Sequence, residues 1–499
     1  MEFWFLLLAS LCLCSFHFFL KNLLQTKKLP PGPPTIPFVG NILWLVKATK
    51  NFSDIESVLR RLRSKYGPII TLYIGSHPSV FITNHAAAHQ ALVQKGTVFA
   101  SRPPALETNQ IITSNQHTIA SAAYGSLWRL LRQNFVSIQH PSRLKSYSRC
   151  RKWALNILKD KLIGEAKSGK AIQVVDHFRH AIFCLLVYMC FGEKLEEKAV
   201  REMEAVQRPI FVNLNRFDAL NFMPRLGKIL FRKLWKELLQ LRQNQENVII
   251  PLIKARREKT KDEDSIVSYV DTLLNLQLPD DARKLSDKEM VSLCSEFFYV
   301  GNDTTTTTLQ WIMANLVKHQ DVQEKLVQEI EAVVKAGDEM KEEDLKRMPY
   351  LKAVVLETLR RHPPGHFTAI HAVTEDTVLD GYHIPRNALV NFTVADMARD
   401  AKVWEDPMAF KPERFLSNDG EAVFDIKGVR EIKMMPFGAG RRACPAMAMA
   451  MLILKYFVAN LIRDFKWTAK DGVGVDLTEK HEFAVVMKNP LRAHISPRI

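Results

Sequence analysis

The sequence predicts a mainly α-helical protein with a small β part, preceded by one N-terminal transmembrane helix. Three observations carry this. Apolar residues recur three and four apart through most of residues 127–361. Strand-like alternation is confined to residues 68–83, 377–384 and 389–393. Residues 3–20 contain no Asp, Glu, Lys or Arg.

That uncharged run would span roughly 27 Å as a helix, close to the thickness of a thin bilayer. Glu2 precedes it and Lys21, Lys27 and Lys28 follow, the reverse of a cleaved signal peptide. With the positive side C-terminal, the body is expected to face the cytosol. Residues 1–20 are therefore read as a single-pass signal anchor in the endoplasmic reticulum membrane. Residues 21–40 follow as a basic and Pro-rich hinge, with five prolines among residues 29–37. Proline fixes its own backbone and donates no hydrogen bond, so this hinge is a stiff spacer. The apolar Ile36, Phe38 and Val39 are expected to dock it against the body.

Residues 41–499 are expected to form one domain. At 499 residues, 47% apolar and 24% charged, the chain is long enough to bury a cofactor. The formal charge of +16 is spread among acidic residues, as in Arg256-Arg257-Glu258-Lys259, with no basic-aromatic module. This excludes nucleic acid as a partner and favours an acidic membrane or an acidic electron donor. Seven cysteines at irregular spacing, 12, 14, 150, 184, 190, 294 and 444, indicate a reducing compartment rather than a disulfide framework.

Within the body, residues 68–83 read as a hairpin around Gly75-Ser-His-Pro78. Helices then dominate, broken at Met223-Pro224 and at residues 259–264. Short strands return at 377–384 and 389–393, and a last helix covers residues 446–463.

Four constellations carry chemistry. In Phe437-Gly-Ala-Gly-Arg-Arg-Ala-Cys-Pro-Ala446, glycines allow a tight turn with free amides near sulfur, and a helix N-terminus follows Cys444. By itself the loop reads equally as a metal-binding thiolate or as a buried cysteine at a helix start. Ser286-Asp-Lys-Glu289 is a capping box that opens an apolar helix of about 30 residues. Its middle, Gly301-Asn-Asp-Thr-Thr-Thr-Thr-Thr308, has poor helix propensity. Threonine hydroxyls bonded to carbonyls one turn back would make a polar notch there; two helices joined by a polar turn is the alternative. Glu357 and Arg360 share one face of a helix closed by Pro363-Pro364. Trp128 and Arg132 lie one turn apart, an indole donor beside a guanidinium, on what otherwise reads as an ordinary amphipathic helix.

Together these runs resemble the cytochromes P450, with the texture of plant microsomal members such as family 89. Phe437, Gly440, Arg442 and Cys444 match the haem-binding loop, Asp303 and Thr304 the acid and alcohol of the oxygen-activating motif, and Glu357, Arg360 and Arg414 a buried charged triad. Trp128 and Arg132 match the family's Trp-x-x-x-Arg, and His371 falls where plant members have a basic propionate contact. The resemblance implies the P450 fold and haem b (iron protoporphyrin IX). Cys444 would be its axial metal ligand, with Phe437 packed near it, and Trp128, Arg132, His371 and Arg442 facing the propionates. Asp303 and Thr304 would be catalytic, organising the protons that O–O cleavage needs in an apolar pocket. The triad would be structural. The implied reaction is insertion of one oxygen atom from O2 into a lipophilic small molecule. Electrons would come from NADPH through a separate, membrane-bound flavin reductase, with cytochrome b5 as a further partner. Lys433, Arg441 and Arg129 are candidate reductase contacts, and each reads equally as a solvated basic residue.

Three positions depart from the family's pattern: Ala446 stands where Gly is usual, Val300 where a small residue is usual, and Ile370 where proline is expected. Together they make a non-catalytic haem-binding protein one rival; a haem-thiolate isomerase or dehydratase is the other, and retention of Asp303 and Thr304 argues against it. Residues 108–119, 211–223, 296–304, 366–370 and 483–487 would line the pocket, and their apolar character predicts a cyclic or terpenoid-like substrate. Two motifs carry nothing. His85 and His89 have the spacing of a zinc pair without a third ligand, and Gly438-Ala-Gly440 lacks the strand and third glycine of a nucleotide loop.

Overall fold

A computed structural model describes residues 28–36, 40–41, 55–74, 77–222, 224–259, 266–470 and 474–498. The expected anchor at residues 1–20 lies outside them, and among the described residues no helix is long and apolar enough to cross a membrane. The chain divides into two compact units.

The first unit comprises Met1–Pro103, Phe367–Met397 and Lys427–Arg442. Its sheet has four strands in the order Ile69–Ile74, His77–Ile82, Leu389–Phe392, His371–Ala372. The first pair is the expected antiparallel hairpin, with Ile69 opposite Ile82; its turn residues Gly75 and Ser76 lie outside the described residues. Leu389–Phe392 runs parallel to His77–Ile82, and His371–Ala372 pairs antiparallel with it. Because strand side chains alternate, the sheet serves two cores. Ile70, Leu72 and Phe81 pack with Val58, Leu59 and Leu62 of the helix Ile55–Tyr66. Ile69, Val80 and Ile82 pack with Ala88, Leu92, Phe99 and Met435.

Two expectations are refined here. Residues 377–384 form two strands, Thr377–Leu379 and Tyr382–Ile384, rather than one. Asp380 and Gly381 have φ of 49° and 80°, the left-handed pair that a two-residue hairpin turn requires. The Pro-rich hinge does dock, through its backbone. Thr71 N donates to Pro31 O at 3.0 Å, and Asn41 Nδ2 to Pro34 O at 3.0 Å. A Cβ on Gly32 would lie 1.9 Å from Thr71 O, so only glycine allows that approach. Ile36, expected to dock, is 51% exposed, while Phe38 and Val39 lie outside the described residues.

The second unit comprises Pro104–His366, Ala398–Ile426 and Ala443–Ile499. Its axis is one helix, Asp287–Lys318, of 32 residues. The capping box forms: Glu289 N donates to Ser286 Oγ at 3.3 Å, and Ser286 N to the Glu289 carboxylate at 2.7 Å. The threonine run does not break the helix, which removes the alternative of two helices. Thr305, Thr306, Thr307 and Thr308 are all buried, and burial supplies what propensity lacks. Around this helix pack Val175–Phe191, Arg232–Glu258, Pro349–Arg361 and Met447–Asp464. The expected break after Glu258 appears, while Met223 of the other expected break lies outside the described residues. Three strands, Ile172–Gln173, Arg492–Pro497 and Phe465–Ala469, and a hairpin, Glu479–His481 with Val485–Met487, complete the unit.

Candidate active site

The cysteine loop is shaped by two left-handed glycines, Gly438 and Gly440, both at φ 67°. A Cβ on Gly440 would meet Leu92 O at 1.9 Å, so the turn Gly440–Arg442 can lie against that backbone only as glycine. Cys444 is half-buried, and the helix Met447–Asp464 begins three residues on. Burial pushes its thiol up from the usual range, while the Ala446 amide and the Arg132 guanidinium draw it back down. Those two groups oppose burial without reversing it, and a bound metal ion would complete the stabilisation of a thiolate. Ala446 has φ −95°, a conformation open to any residue, so its departure from glycine costs the backbone nothing. The other described cysteines, 150, 184, 190 and 294, are buried.

Trp128 and Arg132 share the helix Ser126–Ser137, and the guanidinium lies 5.5 Å from the Trp128 ring centre, over its face. Burial lowers the pKa of Arg132, and the Cys444 charge opposes that shift. Among the described residues no carboxylate forms an ion pair with Arg132. A half-buried cation of that kind, beside an indole donor and a sulfur ligand, suits a metal macrocycle bearing carboxylates. The residues present therefore fit haem: Cys444 to hold the metal, Arg132 and Trp128 to hold propionate.

The first unit holds the other expected cofactor contacts. The segment through Phe99, Ala100 and Arg102 organises them. Arg442 Nε donates to Ala100 O at 2.6 Å, and His371 Nδ1 donates to Phe99 O at 2.7 Å. His371 is buried, and burial, with Arg102 and Arg442 beside it, pushes its imidazole down to about 3. Burial therefore favours the neutral ring at this position. Arg102 donates to Ala369 O at 3.0 Å and Ile370 O at 2.9 Å, a role that sequence reasoning missed. Phe437 is half-buried in this unit. His85 and His89 each engage a separate backbone carbonyl, Met397 O and Val429 O, both at 3.0 Å.

On the central helix the two expected catalytic residues diverge. Thr304 Oγ1 donates to Val300 O at 2.6 Å, one turn back, so its proton is committed and its lone pairs are what it presents outward. Asp303 instead lines a cavity of about 330 Å³, with Arg179, Arg208, Lys480 and Glu482 among its walls. Burial raises the Asp303 carboxyl; Arg179, Arg208 and the Ala484 amide oppose this, and Glu482 adds to it. Phe211 stacks on Tyr299 at 3.6 Å, and Phe483 lies 4.4 Å from Tyr299, giving this cavity an aromatic side. Its charged walls were not expected from the apolar segments; they come from two helices and a strand hairpin whose residues stand far from Asp303 in sequence.

The triad forms as expected. Glu357 accepts from Arg360 Nε at 2.7 Å and Nη2 at 2.9 Å, and from Arg414 Nε at 3.1 Å. Arg360 also donates to the carbonyls of Ala398 and Pro407, which leaves it a structural clasp rather than a reactive group.

Comparison with known proteins agrees with this geometry. The family model described as Cytochrome P450 matches residues 30–495. The chain is 51% identical to "Cytochrome P450 89A9" of Arabidopsis thaliana, over 99% of this chain and 98% of that one. It is 27% identical to "Flavonoid 3'-monooxygenase" of the same plant, over 96% and 93%. Among solved structures, a zebra fish cytochrome P450 with abiraterone superposes with a TM-score of 0.73 at 21% identity, covering 89% of this chain and all of that one, a likeness of fold.

Proposed function

The chain belongs to the cytochrome P450 family, with family 89 the supported branch, and is a P450 monooxygenase; from that premise we propose that it oxygenates a lipophilic small molecule with electrons from NADPH. The electrons would pass through a membrane-bound flavin reductase, with cytochrome b5 as a further donor. Residues 1–20 would anchor the protein in the endoplasmic reticulum membrane with its body in the cytosol, a reading that rests on the apolar run and the lysines after it.

The observation that carries the reading is the glycine-shaped loop that sets Cys444 near Arg132, a guanidinium lying over the Trp128 ring; Arg132 and the Ala446 amide oppose the rise that burial imposes on the thiol. Haem bound there would supply oxygen activation at its metal. The protein's own part is to hold and to exclude. Cys444 Sγ would ligate, and Arg132 and Trp128 would orient the carboxylates. Asp303, raised by burial but steadied by Arg179 and Arg208, can hold or release a proton at its carboxyl. Thr304 offers its hydroxyl lone pairs on the same helix. We read the charged cavity beside Asp303 as the side from which protons arrive, and the helix face that carries Val300 and Thr304 as the substrate side.

Carbon monoxide difference spectra of the reduced wild type and Cys444→Ala test the ligand: a thiolate-type band in both would mean that another residue holds the metal. Spectral shifts across a metabolite library would then select substrates. With NADPH and reductase, incorporation of one labelled atom from O2 is expected. Turnover without O2 would favour the isomerase reading, and no turnover with any shifted compound the non-catalytic one.

A further inference from the structure

Residues 112–122 follow the central helix along one ridge. The residues of that helix that hold them are Lys288, Ser292 and Glu296, spaced four apart, and the same row continues through Val300 to Thr304. At the first anchor, Arg242 donates to Ser114 Oγ at 3.2 Å, Lys288 O at 2.8 Å and Ser292 Oγ at 3.0 Å. Ser292 Oγ donates in turn to Ile112 O at 3.0 Å. At the second, both oxygens of Glu296 accept backbone amides: Ile119 N at 2.9 Å and Ala120 N at 2.7 Å.

Between the anchors lie Ser114, Asn115 and Gln116 at φ 48°, 57° and 64°. Three consecutive non-glycine residues in the left-handed region persist only where neighbours hold them. Without both anchors this segment has better conformations available to it. The downstream anchor leads toward Thr304, since Glu296 stands two turns before it on the shared ridge, about 12 Å along the axis. Ile119, whose amide Glu296 holds, is buried, and Val300, the next residue on the ridge, is 39% exposed.

We propose that Glu296 is a positioning residue for substrate selection: by holding the amides of Ile119 and Ala120 it sets how closely residues 113–122 approach the helix face that carries Val300 and Thr304. A carboxylate that accepts two amides makes charge-assisted bonds, stronger than those of a neutral side chain. This makes the approach of the segment stiff, and stiffness limits the bulk that can enter beside Thr304. The inference rests on reading the Thr304 face as the substrate side.

The test uses full-length protein with haem, wild type, Glu296→Gln and Glu296→Asp. Hydrogen exchange, followed by mass spectrometry, reads peptides covering residues 113–122. Losing a charge-assisted pair should speed exchange at Ile119 and Ala120 by about tenfold or more in Glu296→Gln, with Glu296→Asp between it and the wild type. Spectral titration with 4-phenylimidazole and with a bulky triphenylmethyl imidazole reads the pocket. In Glu296→Gln the preference for the small azole should fall by about tenfold. Exchange unchanged in both variants overturns the clamp. Faster exchange with an unchanged or reversed azole preference overturns its role in selection. A wild type with a thiolate-type carbon monoxide band that takes neither azole would sink the substrate-side reading instead, and the exchange experiment would still decide the clamp.

Discussion

Thr304 Oγ1 donates its proton to Val300 O at 2.6 Å, which leaves the hydroxyl an acceptor through its lone pairs. Thr304→Ser keeps that hydroxyl and should retain most activity. Thr304→Ala removes it, and product formed per NADPH consumed should fall by about tenfold or more, with reduced oxygen released as hydrogen peroxide. Unchanged coupling in Thr304→Ala would remove Thr304 from the mechanism.

Asp303 faces a different environment, a charged cavity with Arg179 and Arg208 against burial. Asp303→Asn keeps its shape and removes its proton exchange. Turnover should drop by about a hundredfold with KM little changed, and the solvent deuterium effect on kcat should grow. A rise in KM with kcat intact would mark Asp303 as a substrate contact.

Arg132 makes no ion pair with a carboxylate among the described residues and stacks on Trp128. Arg132→Leu keeps the bulk and removes the donor. Haem transfer to a scavenging apoprotein should become about tenfold faster or more, because a charge-assisted contact is lost. Equal transfer rates would place the propionates elsewhere.

Glu357 and Arg360 are both fully buried. Glu357→Ala leaves two guanidiniums facing a cavity without their counter-charge, a cost of about 3–5 kcal/mol. Urea titration should show the midpoint shift with the slope preserved. A change below about 1 kcal/mol, the worth of a surface pair, would mean that the clasp is replaceable.

Stability should peak near pH 6.5, because histidines on its two sides shift in opposite directions. His362 is stacked 4.0 Å from Trp311, with Nδ1 2.9 Å from Glu479. Burial pushes His362 down to about 4 despite Glu479, and His371 to about 3. Below pH 6.5 the unfolded chain therefore binds more protons than the folded one, and each ring costs up to about 1.4 kcal/mol per pH unit as the pH falls toward its folded value. His180 is raised to about 9 by Cys184 and Glu204, so its contribution is full below pH 6.5 and is lost as the pH rises through 9. Thermal midpoints from pH 4 to 9 should trace both limbs. His362→Gln should flatten the acid limb and His180→Gln the alkaline one; limbs unchanged in these variants would assign the pH dependence to other groups.

Much of this protein was legible from order along the chain. The capping box at Ser286 and Glu289, the thirty-odd-residue helix behind it, the hairpin at residues 68–83 and the clasp of Glu357 with Arg360 depend on neighbours within a few residues, and short-range hydrogen bonding and periodicity encode those directly. The loop around Cys444 was legible for the same reason, down to the glycines that its turn requires. What surrounds Asp303 was not. Arg179 and Glu482 stand more than a hundred residues from it on either side, and no spacing along the chain states that packing will bring their charges to one cavity. Nor could sequence show that the His371 imidazole is pushed down, since that depends on burial and on Arg102 and Arg442. The chain by itself determined the elements and the loop that carries Cys444; tertiary structure decided the electrostatic surroundings of each group, because dielectric and distance exist only once the chain is packed.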